Sequence, residues 1–236
     1  MKTVHFFSFL LVLFAAFLSN AASAQDNSSQ TLKLSGFDRL SLGSAFEINV
    51  TKGDFSVKVE GRKEDLEDLE ANVSSGKLRI GYKNSNSMQN NNRKRVIVTI
   101  AMPTLRAIDF SGATRSKIAG FNDLKTLDVE LSGASKCDID VKAEKVVLNI
   151  SGATVLDLVG SADRMEGEIS GATSMRAYDF PVKEVDLDVS GASTVKVNAS
   201  KKIDLDVSGA SNVRYKGGSN SVRSSTSGAS SVRSES

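Results

Sequence analysis

Residues 185–215 read VDLDVSGASTVKVNASKKIDLDVSGASNVRY, in which one pattern of residues occurs twice, 18 positions apart. Its centre is Ser-Gly-Ala followed by a small polar residue. The tripeptide occurs seven times, beginning at Ser111, Ser132, Ser151, Ser170, Ser190, Ser208 and Ser227, with spacings of 21, 19, 19, 20, 18 and 19 residues. A sequence period of this length is typical of solenoids, in which each repeat stacks on its neighbours.

Apolar residues alternate with polar ones on both sides of each tripeptide. Around Ser190, for example, Leu187 and Val189 precede it and Val195 and Val197 follow it at every second position. Period two is typical of strands with one buried face. The sequence therefore predicts an all-β fold: a right-handed parallel β-helix, or solenoid, with coils of about 20 residues, two short strands in each coil, and an N-terminal strand-rich cap.

The glycine of each tripeptide is predicted to form a structural corner between strands, because a residue without Cβ permits a bend that a side chain would obstruct. Ser and Thr hydroxyls beside it can bond to the backbone of the neighbouring coil. The sequence alone leaves open which of Gly and Ala points inward. The seven predicted corners are Gly112, Gly133, Gly152, Gly171, Gly191, Gly209 and Gly228.

The chain divides into four predicted segments. Residues 1–24 have a basic start, an apolar run and small residues at a cleavage site, as in a secretory signal peptide. Residues 25–31 are predicted to be a disordered mature N-terminus. Residues 32–104 form the strand-rich part, with a short helix expected at 64–71 and hairpin turns at 52–54 and 75–76. Residues 105–236 form the solenoid and complete one continuous domain, 32–236, whose polar last coil is either a cap or a frayed tail.

Composition excludes several kinds of site. The only histidine is His5, inside the predicted signal peptide, and the only cysteine is Cys137, on the apolar side of a strand. Ser-His-Asp catalysis and metal sites built from His or Cys are therefore excluded from the mature chain. The 30 Lys and Arg nearly balance the 28 Asp and Glu, which argues against nucleic acid as a partner. After residue 24 no apolar run is long enough to span a membrane, and the oligomeric state is left open.

The outward columns carry the remaining chemistry. Two positions before the tripeptide lies a candidate outer acidic surface made of Asp109, Glu130, Glu168, Asp188 and Asp206. Six positions after the serine of the tripeptide lies an outward column that leans basic and consists of Lys117, Asp138, Asp157, Arg176, Lys196, Arg214 and Arg233. Charged outward columns keep a repetitive sheet soluble. Stacked carboxylates are also candidates for Ca²⁺ or a cationic partner, or for carboxylate catalysis on polysaccharides.

Several motifs occur in a characteristic order: GFD at 36–38, GSAFEI at 43–48, VKVEG at 57–61, GKLRI at 76–80 and MPTL at 102–105, before the Ser-Gly-Ala repeats. Together they resemble the head GIN domain family of autotransporter-type adhesins, over residues 32–236. The resemblance implies an exported β-solenoid of Gram-negative bacteria, at the periplasm or cell surface, and supplies no catalytic motif. The chain has no recognisable membrane translocator, so self-export by an autotransporter route does not follow.

The favoured functional hypothesis is a non-catalytic exported envelope or cell-surface protein, an adhesin or binding module whose partner is an envelope or surface protein or a glycan. It is located in the periplasm, at the outer membrane surface or outside the cell. Two alternatives remain: a polysaccharide-active solenoid enzyme and an envelope-stress sensing module. No catalytic residue, metal ligand or cofactor is assigned, apart from Ca²⁺ as a candidate for the acidic surface.

Overall fold

A computed structural model of the protein describes residues 27–83 and 93–235. The predicted signal peptide, residues 1–24, and most of the Asn-rich segment 84–94 lie outside the described residues. The strands are β1 (Asn27–Leu32), β2 (Arg39–Leu42), β3 (Glu47–Lys52), β4 (Ser56–Arg62), β5 (Leu69–Ser74), β6 (Lys77–Tyr82), β7 (Ile97–Met102), β8 (Ala107–Phe110), β9 (Arg115–Leu131), β10 (Lys136–Ile150), β11 (Val155–Ile169), β12 (Ser174–Val189), β13 (Thr194–Val207), β14 (Asn212–Lys216), β15 (Ser221–Thr226) and β16 (Ser231–Ser234). One helix, α1 (Lys63–Glu67), precedes β5.

The predicted all-β solenoid is confirmed, with about seven turns of about 19 residues. Parallel pairing joins β9 to β13 in sequence order, so that equivalent residues of successive coils are partners, as Asp186 is to Asp204. One detail differs from the prediction: the two short strands expected in each coil form one strand of 14 to 17 residues. Register shifts within these strands, as between Asp140 and Ala143, mark where the two expected strands meet. The right-handed winding stays a prediction.

The core lies inside the coils and is formed by the alternating apolar columns. Ile150, Ile169 and Val189, which precede successive corners, are each 1% exposed. Cys137 is buried as predicted. Since each coil buries its inward side chains only against the coils beside it, the core is continuous along the axis.

The N-terminal part is built in a spatial order that differs from the sequence order. Strand β2 lies between β6 and β8, and β3 lies between β7 and β9, with parallel pairing throughout. The chain thus forms one coil with β2 and β3, leaves it to form β4 to β7 on one side, and returns as β8 on the other. The first coil in sequence is therefore an interior coil of the stack.

Antiparallel strands cover this end of the solenoid. Strand β4 pairs with β7 and β1 pairs with β4, while β5 and β6 form the hairpin predicted at 75–76. Three expectations were wrong. Residues 27–31 are part of β1 instead of being disordered, the helix ends at Glu67 because the chain enters β5 at Leu69, and β3 and β4 are separated by β7.

The other end closes with a polar coil. Strand β15 pairs with β13, and β16 pairs with β14. All six side chains of β15 are exposed, including that of Val222, and Ser224 and Thr226 occupy positions that carry apolar residues in earlier coils. The backbone still continues the ladder, as the hydrogen bond from Glu235 N–H to Tyr215 O shows. The last coil is therefore a polar capping coil and not a frayed tail.

Candidate functional site

The corner glycines are fixed by backbone geometry. Gly152 has φ of +79°, and a Cβ on it would lie 2.4 Å from the carbonyl oxygen of Gly133 in the preceding coil. All seven predicted corner glycines have φ between +74° and +80° and face the preceding corner in this way. The alanine that follows donates its N–H to the same carbonyl, as Ala153 does to Gly133 O at 2.8 Å. Neither Gly nor Ala points into the core.

The buried residue of the corner is the Ser or Thr after Ser-Gly-Ala. Thr154 is fully buried, and its hydroxyl donates to Ser151 O at 2.8 Å. Thr173 and Ser193 make the same bond within their own corners. These hydroxyls are satisfied by backbone carbonyls, so the repeated serines and threonines form a structural column and not a row of nucleophiles.

One corner was missed by the sequence pattern. Ser44 has φ of +73°, and its carbonyl accepts the N–H of Ala113 at 2.8 Å, as a corner glycine would. Residues 43–46 therefore form the corner of the coil made by β2 and β3. The sequence there is Gly-Ser-Ala-Phe, which lacks the Ser-Gly-Ala tripeptide. The only signal in the sequence was a small residue before Ala that can adopt a positive φ.

We call the stacked first halves of strands β9 to β13, with β14 and β16, the first sheet, and their stacked second halves, with β8 and β15, the second sheet. The candidate acidic residues lie in one outward column of the second sheet. Asp109 is the strand partner of Glu130, and Glu168, Asp188 and Asp206 are partners in succession, with Asn149 between the two groups. A second column two residues upstream adds more carboxylates. We call the whole set the acidic face: Asp109, Asp128, Glu130, Glu166, Glu168, Asp186, Asp188, Asp204 and Asp206.

Few cations neutralise the acidic face. Glu166 pairs with Lys145 at 2.5 Å and Asp204 pairs with Lys202 at 3.3 Å, while Asp109 accepts a hydrogen bond from the Ser41 hydroxyl. Within residues 27–83 and 93–235 the other six carboxylates have no ion pair, and all six are exposed. In this part of the chain no group of three or more Asp, Glu, His or Cys residues could hold a metal ion. The geometry therefore does not support the Ca²⁺ site considered from sequence.

The outer face of the other sheet carries cations near the C-terminal end. Arg176, Lys196, Arg214 and Arg233 are partners on β12, β13, β14 and β16, and Lys216 follows Arg214 on the same side. We call these five residues the basic stripe. The sequence pattern identified the column, but not the acidic and aromatic contacts that it makes.

A tyrosine and a carboxylate contact the basic stripe. The Tyr178 hydroxyl donates to Glu235 Oε2 at 2.6 Å, and Arg214 Nη1 donates to Glu235 Oε1 at 2.7 Å. These two hydrogen bonds hold the pKa of the Glu235 carboxyl below its ordinary value. Burial, and then the bond to Glu235, raises the pKa of Tyr178 to about 12. Lys216 Nζ and Lys196 Nζ lie 4.9 and 5.5 Å from the centre of the Tyr178 ring.

A further polar cluster fixes the N-terminal cap. Asp65 is 4% exposed, pairs with Arg62 at 2.8 Å and accepts the backbone N–H of Lys94. The Arg93 guanidinium lies 3.8 Å from the centre of the Tyr82 ring. Tyr82 and Arg93 line a surface hollow of about 460 Å³ beside the Ser44 corner. The contacts join α1 and β6 to the residues before β7, which is a structural role.

Nucleophilic chemistry has no support in the described residues. Burial raises the pKa of the Cys137 thiol to about 12, so the reactive thiolate is strongly disfavoured in the fold. The single histidine, His5, lies outside the described residues. Between 27 and 83 and between 93 and 235, the structure has no helix long and apolar enough to cross a membrane.

Comparison with solved structures shows the same fold in bacterial proteins. A putative adhesin from Bacteroides fragilis NCTC 9343 is 21% identical, with a TM-score of 0.84, and the match covers 90% of this chain and 98% of that one. A putative lipid binding protein from Parabacteroides distasonis ATCC 8503 is 16% identical, with a TM-score of 0.72 and the same coverage. A putative adhesin from Parabacteroides merdae ATCC 43184 is 16% identical, with a TM-score of 0.71 and the same coverage.

No match was found among functionally curated proteins. The family model described as "Putative auto-transporter adhesin, head GIN domain" matches residues 36–219, most of the chain. This family and the neighbours above are named for adhesion or binding, and none is named as an enzyme. The chain belongs to the head GIN domain family.

Proposed function

We propose that the protein is an exported, non-catalytic binding module, an adhesin that contacts its partner through the outer faces of the solenoid. The observation that carries the proposal is the acidic face. Six of its carboxylates are exposed and have no ion pair in the described part of the chain. Like charges on neighbouring strands repel each other, so a partner that presents cations relieves this repulsion when it binds.

The architecture favours binding over catalysis. Corners and inward columns recur from coil to coil with little change in length. A surface hollow of about 290 Å³ lies over Asp109, Asp128 and Glu130 at the N-terminal end of the acidic face, and Arg39 and Lys77 also line it. Binding sites for small substrates are concave, with a few polar groups that converge on one point. The carboxylates of the acidic face instead lie side by side along the axis. An extended, charged, periodic surface suits a large partner, such as an envelope or surface protein or a glycan.

Export and location belong to the same proposal. The predicted signal peptide, residues 1–24, and the adhesin description of the family both support a protein that acts outside the cytoplasm, in the periplasm or at the cell surface. Protease treatment of intact cells that carry a C-terminally tagged protein separates these locations. Loss of the tag signal indicates the surface, and protection until the outer membrane is opened indicates the periplasm.

The binding proposal is tested with the purified protein against a panel of immobilised cationic proteins, glycans and bacterial envelope preparations. The variant Glu168→Gln/Asp188→Asn/Asp206→Asn removes three charges from the acidic face. A matched control, Asp140→Asn/Glu144→Gln/Asp179→Asn, removes three exposed carboxylates elsewhere. We expect the first variant to lose binding and the control to keep it. Absence of binding across the panel, or equal binding by both variants, refutes the proposal.

A further inference from the structure

The basic stripe concentrates positive charge in one line along the solenoid axis. Its residues lie on successive parallel strands, which are about 4.8 Å apart. Arg176 pairs with Asp157, and Arg214 pairs with Glu235. Among the described residues Lys196, Lys216 and Arg233 have no carboxylate partner. Five cations thus face two carboxylates, and the stripe keeps an excess of three positive charges.

The structure also shows how the stripe holds a carboxylate. Glu235 receives one hydrogen bond from the Tyr178 hydroxyl and one from Arg214, and such charge-assisted bonds are stronger than neutral ones. Lys196 and Lys216 lie beside the same tyrosine ring. A carboxylate site with two further cations near its tyrosine is therefore already present, and an internal side chain occupies it.

We propose that the basic stripe binds a linear acidic polysaccharide, whose carboxylate or sulfate groups lie along the solenoid axis and meet one cation per coil. The proposal extends the proposed function, because it treats this outer face as a second binding surface with a partner of opposite charge. Glu235 competes with the ligand for Tyr178 and Arg214. Binding of the polysaccharide displaces Glu235 or adds contacts on either side of it.

The width of the stripe favours a thin polymer over a membrane or a nucleic acid duplex. The outward column beside it, two residues nearer the corner, is uncharged in the same four coils, where it consists of Ser174, Thr194, Asn212 and Ser231. The other sheet carries the acidic face, which repels any polyanion broad enough to extend around the solenoid. A single extended chain fits within one column, so it need not cross the uncharged column or reach the acidic face.

The test measures binding of polygalacturonate and dextran sulfate, with uncharged dextran as the control polymer, at several salt concentrations. Lys196→Gln/Lys216→Gln is the loss variant, and Lys117→Gln/Lys142→Gln removes two exposed lysines outside the stripe. We expect the loss variant to weaken binding about tenfold at low salt, as expected for two exposed charge contacts, and the control to bind as the wild type does. Glu235→Gln should bind several-fold more tightly, a gain that a purely structural role for Glu235 does not give.

Several results overturn the inference. These are absence of binding to both acidic polymers, equal loss in the stripe and control variants, or weaker binding by Glu235→Gln when its melting temperature is unchanged. Tighter binding to duplex DNA, or to vesicles with one quarter phosphatidylserine, than to polygalacturonate assigns the stripe to another ligand class. Each of these outcomes leaves the acidic face untouched, so the failure of this inference is distinguishable from failure of the proposed function.

Discussion

The corner geometry makes Gly152→Ala a sharp test of the fold. The new Cβ would lie 2.4 Å from Gly133 O, whereas real Cβ contacts stay at 3.0 Å or more, so the two coils must separate by about 0.6 Å at this corner. This stretches the 2.8 Å hydrogen bond from Ala153 N–H to Gly133 O. A weakened hydrogen bond costs about 1 kcal/mol, and a left-handed alanine costs about 1–2 kcal/mol. Because neighbouring bonds stretch as well, we expect the free energy of unfolding to fall by about 3 kcal/mol.

Gly36→Ala is the matched control. Gly36 has φ of +74°, close to that of Gly152, but a Cβ on it meets no atom within 4 Å. In the control, alanine has the same cost of a left-handed backbone and the same stabilisation from a less flexible unfolded chain. Only the close approach between coils is absent. In equilibrium unfolding by urea, the free energy of unfolding of Gly36→Ala should fall by about 1–2 kcal/mol. If the two variants lose the same stability within about 0.5 kcal/mol, the close approach between the corners at Gly133 and Gly152 is refuted.

Three further predictions concern stability and reactivity. Ile150→Asp places an unpaired carboxylate in the core and should lower the melting temperature sharply, since the burial costs several kcal/mol, whereas Ser231→Asp in the capping coil should have little effect. The Cys137 thiol should react with thiol reagents only after unfolding. Because folding raises the pKa of this thiol from 9.0 to about 12, its contribution to the free energy of unfolding should be lost as pH rises from 9.0 towards 12. Burial opposes ionisation of Asp65, but the bonds from Arg62 and Lys94 N–H outweigh it and lower its pKa. The contribution of Asp65 to the free energy of unfolding should therefore be lost as pH falls below the ordinary carboxyl pKa of 3.8. When unfolding is measured as a function of pH, Asp65→Asn should lose less stability in acid than the wild type.

The solenoid could be predicted because one sequence period carries three structural requirements at once. The inward columns repeat because each residue packs on its equivalents in neighbouring coils, and Gly133 or Gly152 recurs because the preceding corner leaves no room for Cβ. The charged columns follow from the same alternation. Every one of these features depends on residues about 20 positions apart, which a single sequence displays directly.

Features that join distant parts of the chain could not be predicted in this way. The coil of β2 and β3 contacts β8 and β9 across the intervening strands β4 to β7, so Ser44 and Gly112 are adjacent corners although 68 residues separate them. The bond between Tyr178 and Glu235 spans 57 residues. No period marks these contacts, because they depend on where the chain leaves and re-enters the stack.

The inward, corner and outward positions of a coil differ in how freely their residues can change, and this indicates where function can vary in this fold. Inward residues are constrained by core packing, and corner residues by backbone contacts between coils, so a change at either kind of position costs stability. Outward residues on the sheets meet neither constraint, and their charge can change from coil to coil at little cost. In this chain the freedom has produced carboxylates on one sheet and, near the C-terminal end, cations on the other. The column that holds the basic stripe carries Asp138 and Asp157 on the two coils before Arg176, so charge of both signs occurs along it. The acidic face and the basic stripe are therefore local surfaces, each formed by a few neighbouring coils on one rigid support, and each can change without cost to the core or the corners.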